Sequence, residues 1–209
     1  MDMREYKNRI KNSQNKMKDL FCQYIESEND ILKRSGAEEV SDICISLYEK
    51  NVYDCIELKI DTDAQTGFFT IAQSINPICH FWYFLESIVI GNEISYWHQD
   101  QEGPEAYLIV KKLNDVKIRV SLISEGWWEF NNNKKGLKKI YNDKYQLALD
   151  MICSKREFIT KIYAVMMSIN YPIPDSENDY DPWGDSPKDS DIINEYVSGL
   201  DNSKVTYEV

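Results

Sequence analysis

Apolar residues recur along this chain with two different periods. Between residues 13 and 33, Met17, Leu20, Phe21, Tyr24 and Ile25 fall three or four positions apart, which predicts a helix with one apolar stripe. The dozen residues before it are polar and are expected to fray. The pattern then changes. Ile43, Ile45 and Leu47, and after a break Ile56, Leu58 and Ile60, alternate with polar or small residues, predicting two antiparallel strands. Phe68–Ile75 predicts a third strand. Asn76 and Pro77 open a second helix, since Asn caps well and Pro fits the first turn. Its wide apolar face is Ile78, Phe81, Trp82, Leu85, Ile88 and Val89, with His80, Phe84 and Ser87 on another side. Gly91 is the expected stop.

Extended structure resumes at Ile94–His98, followed by a turn at Gln99–Pro104. Glu105–Leu113 and Val116–Ile123 predict a hairpin about Asn114–Asp115. Val116, Ile118, Val120 and Leu122 alternate with Lys117, Arg119 and Ser121, the pattern of a strand with one buried and one solvated face. Residues 126–136 (GWWEFNNNKKG) predict a loop, Lys134–Lys139 a short basic patch, and Tyr145, Leu147 and Leu149 another strand. Ser154 and Glu157 have capping-box spacing before a helical stripe of Phe158, Ile159, Ile162, Tyr163, Met166 and Ile169, ended by Pro172 and Pro174. Past an acidic loop, Ile192, Ile193, Tyr196, Val197 and Leu200 predict a short docked helix over 190–200. The expected fold is α+β, an antiparallel sheet with helices packed on one face. Residues 1–174 form the expected single domain and 175–209 an acidic C-terminal appendage.

Charge sharpens this picture. The chain has 209 residues, enough for one sizeable core, and a net charge of −11. Within 175–209, ten acids stand against Lys188 and Lys204, leaving −8 of that −11 in the appendage. Such a field repels nucleic-acid phosphates and favours a basic protein partner. The cysteines, Cys22, Cys44, Cys55, Cys79 and Cys153, are odd in number and form no CxxC pair, as expected of reduced thiols. No secretory h-region opens the chain, and no run nears the ~20 apolar residues of a membrane span. A cytoplasmic location with no membrane partner is expected.

Candidate chemistry is sparse. His98, Asp100 and Glu102 put an imidazole near two carboxylates, as a general base or metal site requires. Alternation would crowd all three onto one strand face. Asp175, Glu177 and Asp179 match the first three spacings of a calcium loop, but Tyr180 and Ser186 stand where Gly and a bidentate Glu are required. No metal or cofactor is therefore expected. Cys79 and His80 are adjacent on a helix and diverge by about 100°. No phosphate loop, nucleophile elbow or HExxH pattern occurs. Trp127 and Trp128 cannot both be buried from one extended strand, so one is expected to meet solvent or a partner. With Asp175, Asp179, Asp181 and Asp185 they form the expected binding set.

The residues Phe81-Trp82-x-Phe84-Leu85-Glu86, then Gly91, then Trp97-x-x-Asp100-x-Glu102-Gly103-x-Glu105 resemble a group of bacterial α+β proteins of the polymorphic-toxin immunity type. The resemblance covers residues 77–123. It implies a small cytosolic protein that binds and neutralises a toxin domain, and it carries over no catalytic residue. Two alternatives stay open. One is an enzyme or small-ligand-binding protein with a fold-assembled site near His98. The other is a scaffold or assembly subunit that docks through its C-terminal helix.

Overall fold

A computed structural model of the chain describes residues 3–24, 37–50, 55–71, 77–100, 105–125, 145–168 and 190–199. In chain order the elements are α1 (Met3–Tyr24), β1 (Glu38–Glu39), β2 (Cys44–Lys50), β3 (Cys55–Asp61), β4 (Thr66–Ile71), α2 (Pro77–Val89), β5 (Ile94–Asp100), β6 (Glu105–Lys112), β7 (Lys117–Glu125), β8 (Tyr145–Ser154), α3 (Lys155–Met167) and α4 (Asp191–Ser198). The fold is α+β, as the alternation implied. The strands divide into two sheets, however, and helices cover both faces of the larger one rather than one face, α2 and α3 on one side and α1 on the other. The larger has the order β1-β8-β7-β6-β5, the smaller β2-β3-β4. All pairings are antiparallel except β1 with β8, where Glu38 and Glu39 run parallel to Met151 and Ile152.

The period of two explains how the sheets meet. Trp97, Leu108, Val110, Val120, Leu122, Leu149 and Met151 point to one face of the larger sheet and are buried there. That face receives the smaller sheet through Leu58, Ile60, Phe69 and Ile71, and also α2 and α3. Trp97 sits where the layers converge, with ring centroids 4.5 Å from Phe69, 4.8 Å from Phe81 and 6.1 Å from Phe84. Strand β4 comes so close to β7 and β8 that only a glycine fits at position 67. A Cβ there would lie 2.9 Å from Leu122 Cδ2 and 3.0 Å from Leu149 Cβ. The opposite face of the larger sheet carries Tyr96, Tyr107, Ile109, Ile123 and Leu147, a second apolar cluster completed by Met17 of α1.

Side chains close β5, at one edge of the larger sheet, and the stretch of β8 that the two-residue β1 leaves unpaired at the other. Gln14 of α1 accepts from Tyr96 N–H (2.7 Å) and donates to Tyr96 O (3.2 Å), standing in for a neighbouring strand along β5. Gln65, in the turn between β3 and β4, does the same for Asp150 of β8, accepting from its N–H (2.8 Å) and donating to its O (3.1 Å). Thr62 fixes that turn by accepting from Gln65 N–H (2.9 Å).

Several sequence expectations change. Helix α1 starts at Met3, not near residue 13, because Tyr6, Ile10, Gln14 and Met17 already recur at helical spacing and Ile10 is fully buried. Residues 25–33 of the expected helix lie outside the described residues. Helix α2 has no solvated side over 81–88, where Phe84 and Ser87 are buried along with the apolar stripe. Strand β7 begins at Lys117 and leaves Val116 exposed at the hairpin tip. Its supposed solvated face holds a buried Ser121 and an ion-paired Arg119. A bulge between Leu122 and Ile123 shifts the β7–β8 register, which the alternation did not signal. The short C-terminal helix is present as α4, with Ile193 in the main core and a left-handed Gly199 (φ 74°) at its end. The capping box holds in one direction, Ser154 accepting from Glu157 N–H.

The Gly67 approach gives a test. Gly67→Ala should lower stability by about 1–3 kcal/mol, the usual cost of overpacking. Urea denaturation reads it, and an unchanged midpoint would mean that the two sheets do not meet at this point.

Candidate functional site

Strand alternation places His98 on the face of β5 away from Trp97, directly across from Tyr107 of β6. The two rings stack with centroids 4.7 Å apart and planes inclined by 24°. Tyr107 is fully buried and His98 half-buried, so the imidazole covers an aromatic plate. Two residues on, Asp100 is in register with Glu105 of β6. The backbones of His98 and Asp100 are separated by about 7 Å at the usual strand rise. Glu102 lies outside the described residues.

Two polar clusters that the sequence reading missed are more completely built. The first lies on the same sheet face. Arg119 of β7 grips Asp150 of β8 with two bonds, Nε to Oδ1 (2.8 Å) and Nη2 to Oδ2 (2.7 Å). Ser121 adds a third to Oδ1 (2.9 Å). Asp150 is buried, and its backbone is held by Gln65. With the carboxylate so engaged, the cluster joins β7, β8 and the β3–β4 turn rather than presenting a base to a substrate. The available signal was an acid inside the apolar run LALDMIC.

The second cluster joins three helices. Glu86 has no exposed surface, yet it stands in the middle of α2. Its Oε1 accepts from the Tyr6 hydroxyl of α1 and from Ser190 Oγ, the N-cap of α4. Its Oε2 has no hydrogen-bond partner among the described residues. Burial raises the Glu86 carboxyl above its ordinary range, against the lowering effect of Ser190 and Tyr6. Burial, reinforced by the bond to Glu86, pushes the Tyr6 phenol up, so it remains a donor. A glutamate within the apolar stretch FWYFLESIV was the visible signal.

Further polar contacts seat α4. Tyr163 donates to Asn194 Oδ1, and Arg156 donates to Val197 O (3.3 Å) at the helix C-terminal end. Lys155 donates to Val89 O (3.1 Å) and lies 5.4 Å from the Tyr196 ring centroid. Burial lowers the Lys155 ammonium below its usual range. Cys153 is buried and free, its thiol pushed up to about 12 by burial, which makes it a poor nucleophile; Cys44 is exposed and free.

A surface groove of about 250 Å³ runs between α1 and the start of β5, with Lys11 and Lys18 along one wall, Asn92 and Glu93 on the other, and Ile94 and Tyr96 also lining it. Two turns of helix separate the backbones of the two lysines by about 10 Å. Among the described residues no group of three or more His, Cys, Asp or Glu is placed to hold a metal ion. No helix among them is long and apolar enough to cross a membrane. Of the expected binding set, Trp127, Trp128, Asp175, Asp179, Asp181 and Asp185 lie outside the described residues. Comparison with family models, with curated proteins and with solved structures finds no match for the chain.

The Arg119–Asp150 pair can be tested as architecture. Arg119→Met should cost about 3–5 kcal/mol, because it strands a buried carboxylate. Converting Asp150 to Leu in that background should recover part of the loss. A double variant that merely adds the two single costs would show that the pair is uncoupled.

Proposed function

We propose that the chain is a non-enzymatic binding protein that engages a basic protein partner, most specifically an immunity protein that neutralises a toxin domain by direct contact. The observation that carries this reading is where the charge sits. The acids of 175–189 lie in sequence between two elements anchored on one core. On one side α3 ends at Met167; on the other, Ser190 is buried and bonded to Glu86. Six acids against Lys188 leave −5 on a stretch tethered at both ends, which favours long-range attraction of a cationic surface and fast encounter. The resemblance of residues 77–123 to immunity proteins supports the same reading. The engagement of Asp150 and Glu86 by neighbouring side chains supports a structural rather than catalytic use of the best-built polar clusters.

The test takes the product of the gene adjacent to this chain's own as the candidate toxin domain. Cells producing that domain should grow only when the chain is co-produced. The association rate should fall steeply with salt, as exposed charges are screened over about 8–10 Å at physiological ionic strength. Changing Asp175, Asp179, Asp181 and Asp185 to Asn should slow association at least about tenfold at low salt. Growth arrest unrelieved by the chain, with no complex at micromolar concentration, would reject the function. A salt-independent rate unchanged in the quadruple variant would reject the acidic segment as its basis.

A further inference from the structure

We propose that Tyr6, Glu86 and Ser190 form a proton-operated clamp, in which uptake of one proton by Glu86 tightens the docking of α1 and α4 on α2. The geometry is specific. A single carboxyl oxygen accepts from two hydroxyls that come from elements 80 and 104 residues away. Glu86 is completely buried, and its second oxygen has no partner among the described residues. Among the described residues the ionised form therefore carries a charge with two neutral donors and no bonded cation. Burying such a group costs several kcal/mol unless it is fully paired or takes up a proton. The neutral acid keeps Oε1 as acceptor for both hydroxyls and removes the charge.

Among the described residues, the groups around the clamp do not supply a counter-charge. From α1 the facing group is Tyr6, while Arg9, one turn on, is bonded to Glu5 (3.4 Å). From α2 itself Tyr83 packs on Tyr6, with centroids 6.4 Å apart. From α4 come Ser190 and the helix N-terminus, whose partial positive charge offsets only part of the cost; Asp191 there is exposed and of the wrong sign. From α3, Lys155 is committed to Val89 O and to the Tyr196 face. From β5, Ser95 bonds Ser87 Oγ (2.6 Å), the residue next to Glu86.

The direction of the Glu86 shift agrees with this geometry, since burial outweighs both hydroxyls and raises the carboxyl. The sign follows from linkage. An acid whose pKa is raised in the folded state binds its proton more tightly there. Its stabilising contribution is complete below the unfolded value of about 4.3 and is lost as pH rises through the higher folded value. Each unit of that difference weakens docking about tenfold on the alkaline side. The clamp thus closes on acidification and loosens toward alkaline pH, at both ends of the chain together. It does not depend on the binding role proposed above.

Amide exchange of α1 and α4 at pH 5 and 7.5, corrected for the intrinsic pH dependence of exchange, tests the clamp. In the native chain, protection of both helices should fall several-fold between these pH values. In Glu86→Gln, which keeps an acceptor but cannot ionise, protection should stay level within about twofold. A level native profile, or the same fall in Glu86→Gln, would overturn the clamp. Should that variant fail to fold, the Glu86 carboxyl ¹³C titration in the native chain decides: a midpoint above the ordinary glutamate range supports the clamp, and one at or below about 4.3 ends it.

Discussion

A strand edge must be paired, and that constraint sets the arrangement of this fold. Outer strands expose N–H and C=O groups that bond to water, to another chain or to some part of their own. Here side chains complete the ladder. A glutamine amide offers one acceptor and donors in nearly the geometry of a peptide, so Gln14 and Gln65 each form a two-bond pair with a single edge residue. The smaller sheet is treated alike at its approach to β2, where Ile43 N–H donates to Glu157 (3.4 Å) and Ile43 O accepts from Lys161. These contacts dictate neighbours. Helix α1 lies along β5, the β3–β4 turn reaches β8, and α3 flanks the start of β2.

Buried polar groups at the junctions work on the same principle, joining elements that are remote in sequence. Asp150 fastens two strands and a turn, Glu86 fastens three helices, and Lys155 links α2, α3 and α4. Each gives up hydration for a small number of directional bonds, so their net contribution to stability is modest. Their effect is on arrangement: apolar contact alone would let α4 slide, whereas Ser190, Asn194 and Val197 are each bonded to a side chain of another helix.

Much of the framework was legible because burial follows period. The alternation of Ile118, Val120 and Leu122 and the stripe of Phe158, Ile159 and Ile162 correctly located a buried strand face and a buried helix face. Legibility failed where a polar residue is buried. Ser121 and Arg119 read as solvated because their partner, Asp150, comes from β8, 29 and 31 residues away. Glu86 sat inside the motif that carried the family resemblance, yet its partners come from opposite ends of the chain. The division into two sheets was equally hidden, because a run of alternating residues does not say which other strand it will pair with. Position 67 is a glycine for a reason found only in the meeting of the sheets.

The candidate chemistry follows from this frame. His98 is held against Tyr107, and the acids of the appendage lie between elements anchored on the core. Both placements depend on the frame of paired sheets and docked helices. That account rests first on the closed edges of the larger sheet. Its most direct test is hydrogen exchange at two backbone amides, Tyr96 on the outer strand β5 and Asp150 on the part of β8 that β1 does not pair. If Gln14 and Gln65 complete the ladder, these amides should be protected to the same order as Val120 in the centre of the sheet. Exchange at the rate of unstructured peptide would contradict the account.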